Sequence, residues 1–187
     1  MIKGKKIDLV AVSMDYLPLY RKWFNDPEVT DMLGDTKYPF SEGREREWIE
    51  QQQVPKDDRR AFTVVTKKGR PIGNAGFNEI DPLNKYVVLG IAIGEKDFWN
   101  KGYGEDTIAT LMKFAFEELG MHKVELGVHS TNKRAIACYK KCGFVLEGCE
   151  REHDFYEGKY IDSLRMGILR KEWETIYRKE ERARARK

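Results

Sequence analysis

The sequence predicts an α/β (α+β) fold of one domain, with a central mixed, mostly antiparallel sheet flanked by helices. Three observations carry that expectation. Apolar runs bounded by turn residues follow one another from Ala61 to Ile93 at hairpin spacing, which reads as an antiparallel meander. A glycine-bearing loop and a long periodic helix come next, then a strand, a short capped helix and two closing strands. The 187 residues suit one domain with a sizeable core, and no repeat or linker divides them. Residues 1–173 are expected to form the domain and 174–187 a charged helical tail.

Lys6–Val12 reads as a first strand and Asp15–Asn25 as a helix capped by Ser13 or Asp15. Ser41–Gln53 suits a second helix, with Ser41 as N-cap and Trp48 and Ile49 facing inward. Ala61–Thr66 and Pro71–Ile80 read as strands around the turn at Lys67–Arg70, and Asp81–Asn84 turns into Tyr86–Ile93. Ile108, Leu111, Met112, Ala115 and Leu119 recur at helical spacing, and Gly120 ends that helix. Val124–His129 is a short strand. Val145–Tyr156 and Lys159–Leu169 form a hairpin turning at Glu157-Gly158, before a terminal helix from Lys171 to Ala183.

The loop Trp99-Asn100-Lys101-Gly102-Tyr103-Gly104-Glu105-Asp106-Thr107 joins an apolar strand to a helix. Two glycines let the backbone approach a ligand closely, and the following helix offers unpaired amides and the positive end of its dipole. A phosphate-bearing ligand fits that chemistry. Glu105 and Asp106 stand where a P-loop carries Lys and Ser or Thr, so a P-loop is excluded. Thr107 stands where a dinucleotide fingerprint carries a third glycine or alanine, and the opening meander is unlike a Rossmann fold.

In Asn132-Lys-Arg-Ala-Ile-Ala-Cys-Tyr-Lys-Lys-Cys-Gly-Phe144, Asn132 is a good N-cap and Gly143 can supply a left-handed C-cap. Together with the Gly-x-Gly helix start, this Asn-x6-Tyr-x3-Gly-Phe pattern resembles the GNAT superfamily of acyl-CoA-dependent N-acetyltransferases. The resemblance runs from about Lys6 to Trp173. Trp23-Phe24-Asn25-Asp26-Pro27-Glu28-Val29 is similar to the opening of the branch containing RimJ/RimL-like and spermidine acetyltransferases. Gly158-Lys159-Tyr160-Ile161-Asp162 with Met166 is similar to its closing hairpin.

The resemblance implies acetyl-CoA as donor and a primary amine as acceptor. It implies that the strand at Ile91, Ala92 and Ile93 binds the pantetheine arm by β-augmentation. The pyrophosphate would rest on amides of Lys101, Gly102, Tyr103, Gly104 and Glu105, with Asn132 on the pantetheine. Trp99 stands where the broad superfamily has Gln or Arg, as in the RimL-like branch. Tyr139 takes the place of the acid that protonates the leaving thiolate. Many relatives carry a Glu as base where this chain has Gly127, which leaves Glu79 or Glu125 as candidates acting through water. A homodimer is a further implication.

Asp26, Glu28, Asp31 and Asp35 cluster in the sequence near the first helix and are candidates to attract a cationic amine, although Arg44, Arg46, Arg59 and Arg60 argue against a purely acidic pocket. Two function classes stay open: an N-acetyltransferase, and a non-catalytic acyl-CoA-binding module that lost its chemistry. The retained Tyr139 favours the first and the missing Glu favours the second.

A net charge of +3, with acids and bases interspersed up to the run from Arg178 to Lys187, does not indicate nucleic-acid binding. No run reaches the roughly 20 apolar residues of a membrane span, and the N-terminus lacks the apolar stretch of a signal peptide. A cytoplasmic location is therefore expected. Cys138, Cys142, Cys149 and His153 superficially resemble a zinc set. Cys138 and Cys142 share a helix with an apolar face to fill, so buried free thiols are expected and no metal.

Overall fold

The computed structural model describes residues 1–33, 38–54 and 57–185, with side chains as far as Tyr177. Its strands are β1 (Ile2–Lys3), β2 (Ile7–Ala11), β3 (Arg60–Thr66), β4 (Pro71–Asp81), β5 (Tyr86–Ile93), β6 (Lys123–His129), β7 (Val145–Tyr156) and β8 (Lys159–Leu169). They form one sheet in the order β1-β2-β3-β4-β5-β6-β8-β7. Neighbours are antiparallel except β5 and β6, which run parallel because a helical crossover joins them. That crossover is α4 (Tyr103–Lys113), continued by a π-helical turn at Phe114–Glu118.

The sheet is covered on both faces. On one, Ile108, Leu111 and Phe116 pack with Leu9, Val64, Val87, Val124 and Leu126, joined by Tyr139 of α5 (Lys133–Lys141). On the other, Tyr20, Trp23 and Ile49 form a second cluster. These come from α1 (Leu17–Phe24) and α3 (Glu42–Gln53), with α2 (Pro27–Thr30) between them. The expected first helix is in fact a 3-10 turn at Met14–Tyr16 followed by α1, because Pro18 restarts the helix at its first turn. Ser13 caps that turn, its Oγ accepting the Asp15 N–H at 3.2 Å. Ser41 caps α3 by accepting the Arg44 N–H at 3.2 Å. Ile49 is fully buried and Trp48 half-buried.

The long helix expected to reach Leu119 is regular only to Lys113. In the wider turn that follows, the Leu119 N–H reaches back to the Phe114 carbonyl at 3.1 Å, and the Arg170 guanidinium donates to the carbonyls of Phe116 and Met121 at the helix end. The terminal helix, α6 (Arg170–Ala185), is continuous through residue 173. Trp173 lies against Phe116 with ring centroids 5.2 Å apart, and Tyr177 stacks on Trp173 at 5.1 Å. No helix among the described residues is long and apolar enough to cross a membrane.

One buried acid clamps α1 to the end of β5. Glu95 accepts from Lys22 Nζ at 2.6 Å, Trp23 Nε1 at 2.8 Å and Arg70 Nη2 at 2.7 Å. Burial alone would raise its pKa, but the bonds from Lys22, Trp23 and Arg70 outweigh burial and hold it at about 2. The folded value lies below the ordinary 4.5, so this stabilisation is complete above pH 4.5 and is lost as pH falls towards 2. Glu95→Gln is expected to lower stability at pH 7 by about 2 kcal/mol and to flatten the acid limb of a melting-temperature profile.

Candidate active site

β5 and β6 are paired at only three positions, the last being Val88 with Glu125. Beyond that pair the strands part, leaving Leu89 to Ile93 without a strand neighbour on that side. The opening is part of a cleft of about 1150 Å³ lined by residues of both strands, α3, the start of α4 and α5.

At the α4 end, the loop turns through left-handed conformations at Asn100 (φ +56°) and Gly102 (φ +79°). Gly102 is the N-cap and brings no side chain to bond the first amides. The first helical bond runs from the Asp106 N–H to the Gly102 carbonyl at 3.1 Å, so the amides of Tyr103, Gly104 and Glu105 precede the ladder. Unpaired amides on the positive end of a helix dipole make an anion cradle.

A buried anchor fixes the cradle. Asp106 accepts the backbone N–H groups of Lys5, Lys6 and Ile7 at 3.1, 2.7 and 3.1 Å. Gly4 is needed there, since a Cβ would stand 2.7 Å from Asp106 Oδ2 and 2.6 Å from Thr110 Oγ1. Lys6 Nζ also donates to the Lys101 carbonyl at 2.7 Å. Lys101 and Tyr103 are not among the cleft-lining residues, and the Tyr103 ring packs edge-on against Phe98 at 4.9 Å.

Lys133, Arg134 and Lys141 of α5 line the cleft, and Lys141 pairs with Glu105 at 3.0 Å. The Trp99 indole donates to the Ile93 carbonyl at 2.6 Å, and the Arg134 guanidinium lies 3.8 Å over its ring. Trp99 is thus a platform for a cation delivered by another helix. Asn132 caps α5 by accepting the Ala135 N–H at 3.1 Å, which leaves its amide nitrogen to the cleft.

Tyr139 lines the same cleft, buried against Phe144. Burial first, then the neighbouring Cys138 and Cys142, push its phenol well above the ordinary value, so it is a proton-bearing donor throughout the physiological range. Cys138 and Cys142 are half-buried and Cys149 is exposed, which corrects the expectation of buried thiols. Cys138 lines the cleft beside Gly104, and Cys142 Sγ lies 3.9 Å from the Glu105 carbonyl. Neither fills only an apolar face: both sit against the α4 cradle.

Other expected residues stand apart. Glu79 is exposed on β4, level with the last β5–β6 pair, where it accepts a hydrogen bond from the Tyr86 hydroxyl. Glu125 pairs with Lys123 at 2.9 Å. Neither lines the cleft. Asp26 and Glu28 both bind Lys96, at 2.8 and 3.0 Å, outside the cleft lining, because Asp26 is committed as the N-cap of α2. Asp35 lies outside the described residues. Among the described residues, the carboxylate lining the cleft is Glu105.

Sequence reasoning missed Asp106, Arg134, Asn78 and Arg165. The last two lie on the face covered by α1 to α3. Asn78 is the extra residue of a β-bulge in β4, and its amide covers Gly90. Arg165 of β8 is paired with Gly127 and lays its guanidinium over it, Nη1 standing 3.5 Å from where a Cβ would be.

A family model described as "Acetyltransferase (GNAT) domain" matches residues 7–145. An uncharacterized N-acetyltransferase from a prophage of Bacillus subtilis is 29% identical over 171 residues, 91% of this chain and 94% of that protein. A spermidine N(1)-acetyltransferase of Vibrio cholerae is 29% identical over 135 residues, 72% of this chain and 78% of its own. The crystal structure of a Vibrio cholerae spermidine N-acetyltransferase with CoA and spermine superposes with a TM-score of 0.83 at 26% identity, covering 90% of this chain and 98% of that one. The chain therefore belongs to the GNAT acetyltransferase family and is an acetyl-CoA-dependent N-acetyltransferase.

Proposed function

We propose that acetyl-CoA lies with its pantetheine arm along Leu89 to Ile93 and its pyrophosphate on the amides of Tyr103, Gly104 and Glu105. An amine bound in the same cleft attacks the thioester directly, in a ternary complex. The uncapped α4 start opening into the cleft that holds Tyr139 is the observation that carries this reading. The parted edge of β5 suits an extended amide-bearing arm, as an added strand would. Arg134 and Lys141 suit its phosphates, and the Asn132 amide nitrogen suits a pantetheine carbonyl. Bound acetyl-CoA supplies an activated carbonyl; Tyr139 donates a hydrogen bond, and eventually a proton, to the departing sulfur.

The acceptor must arrive neutral. An alkylamine of pKa about 10.4 is neutral about once in a few thousand molecules at pH 7, an α-amine of pKa about 8 about one time in ten. Asp26, Glu28, Glu79 and Glu125 stand outside the cleft lining, and among the described residues the carboxylate there, Glu105, is held by Lys141, so an α-amine that needs little help from a base is the acceptor we infer. Thiol release from acetyl-CoA, measured against α-amines, polyamines, amino sugars and aminoglycosides, tests this. Amine-dependent release that is fastest with α-amines at pH 7 is expected. Equal or faster turnover of polyamines at that pH contradicts the acceptor assignment, and no release with any amine contradicts the function.

A further inference from the structure

The acceptor side of the opening has a floor of glycine. Val88 and Glu125 are the last paired residues of β5 and β6, so two residues on, Gly90 and Gly127 stand at one level on either side of the gap. Both turn their bare faces away from the core that Leu89 and Leu126 enter, towards the side of α1 to α3. Each is covered by a polar side chain from the flanking strand. A Cβ on Gly90 would lie 2.8 Å from both the Nδ2 and Oδ1 atoms of Asn78, and one on Gly127 would lie 3.5 Å from Arg165 Nη1. Phe24, Val29, Met32, Leu33 and Trp48 supply an apolar wall to the same cleft.

Arg165 is held there. Its Nη2 donates to Glu150 Oε1 of β7 at 3.2 Å and its Nε lies 3.2 Å from the other carboxylate oxygen, while Nη1 stands over Gly127. A guanidinium edge is suited to a carboxylate, whose two oxygens accept parallel N–H bonds, and the Asn78 amide lines the same cleft.

We propose that Arg165, with Asn78, binds a carboxylate on the acceptor, so that the substrate is an amine carrying a carboxylate a few bonds away. A peptide whose N-terminal residue is acidic has that chemistry on an amine of pKa about 8, and a free α-amino acid with an apolar side chain has it on an amine that its own carboxylate makes more basic. This rests on the acetyl transfer proposed above and narrows its acceptor. A polyamine would meet the guanidinium with like charge, so the acceptor differs from the spermine named with the Vibrio cholerae structure.

The test compares kcat/KM for leucine with leucinamide, and for Asp-initiated with Asn-initiated tripeptide amides, in wild type, Arg165→Gln and Arg165→Lys. The carboxylate-bearing member of at least one pair is expected to be preferred about 10- to 100-fold, as one charge-assisted bond provides. Arg165→Gln should erase the preference chiefly through KM for the amine, leaving KM for acetyl-CoA unchanged, and Arg165→Lys should restore part of it. The pair that shows the preference identifies the source of the carboxylate. Because the wild-type comparison needs no variant, a misfolded Arg165→Gln does not obscure the answer. Amine-dependent turnover without preference in either pair overturns this proposal alone, whereas no turnover with any amine overturns the acetyl-transfer reading beneath it.

Discussion

Asp106→Ala is expected to destabilise the fold by about 3–5 kcal/mol, a large part of the roughly 5–15 kcal/mol by which a domain of this kind is stable. The carboxylate is buried in the first turn of α4 and accepts three consecutive backbone N–H groups, from Lys5, Lys6 and Ile7. Removing it leaves those donors unpaired at about 1–3 kcal/mol each. The bonds to Lys5 and Lys6 are only partly buried, so water recovers some of the loss and the total falls towards the low end of the summed range. Asp106→Asn, which keeps one acceptor oxygen, should fall between wild type and alanine. Urea unfolding measures both. The same change frees the Lys5–Lys6 segment from the cradle, so KM for acetyl-CoA should rise where the protein remains folded. Unaltered unfolding midpoints would contradict the anchor.

Tyr139→Phe should lower kcat about 10- to 100-fold with little change in KM for acetyl-CoA. Burial keeps the phenol protonated, and a phenol at even its ordinary pKa of about 10 transfers a proton uphill to a thiolate of about 8.5, by about 2 kcal/mol. Raising the phenol further steepens that step. Tyr139 therefore contributes mainly as a hydrogen-bond donor to developing charge, which is worth about 1.5–3 kcal/mol, and the variant slows without stopping. Phenylalanine fills the same space beside Phe144, so folding should be spared. A kcat equal to wild type would remove Tyr139 from the chemistry.

What the sequence made legible follows from local physics. The hairpin turns, the Asn132 cap, the Ser41 cap and the two-glycine helix start are each decided within a few residues, and each stands as expected. Pairings between distant segments were not legible. Nothing near Asp106 announces partners about 100 residues away, and nothing near Gly127 announces Arg165. A bulge at Asn78 shifts β4 by one residue, so that Glu79 pairs with Val88 and meets the Tyr86 hydroxyl instead of the opening. Asp26 and Glu28 look acidic in the chain, yet Lys96, brought near by the end of β5, takes both. The meander was readable, but the parting of β5 and β6 beyond Val88 and Glu125 is a matter of how two distant segments pair.

Direct attack within one cleft is tested most sharply by mixing the enzyme with acetyl-CoA in the absence of amine and following free thiol in the first turnover. Cys138 makes the alternative concrete, since this thiol also lines the cleft and is the group there that would carry an acyl intermediate. The account predicts no thiol until an amine is added, then steady release whose rate rises with amine concentration. A burst of one thiol per enzyme before any amine is present would contradict it.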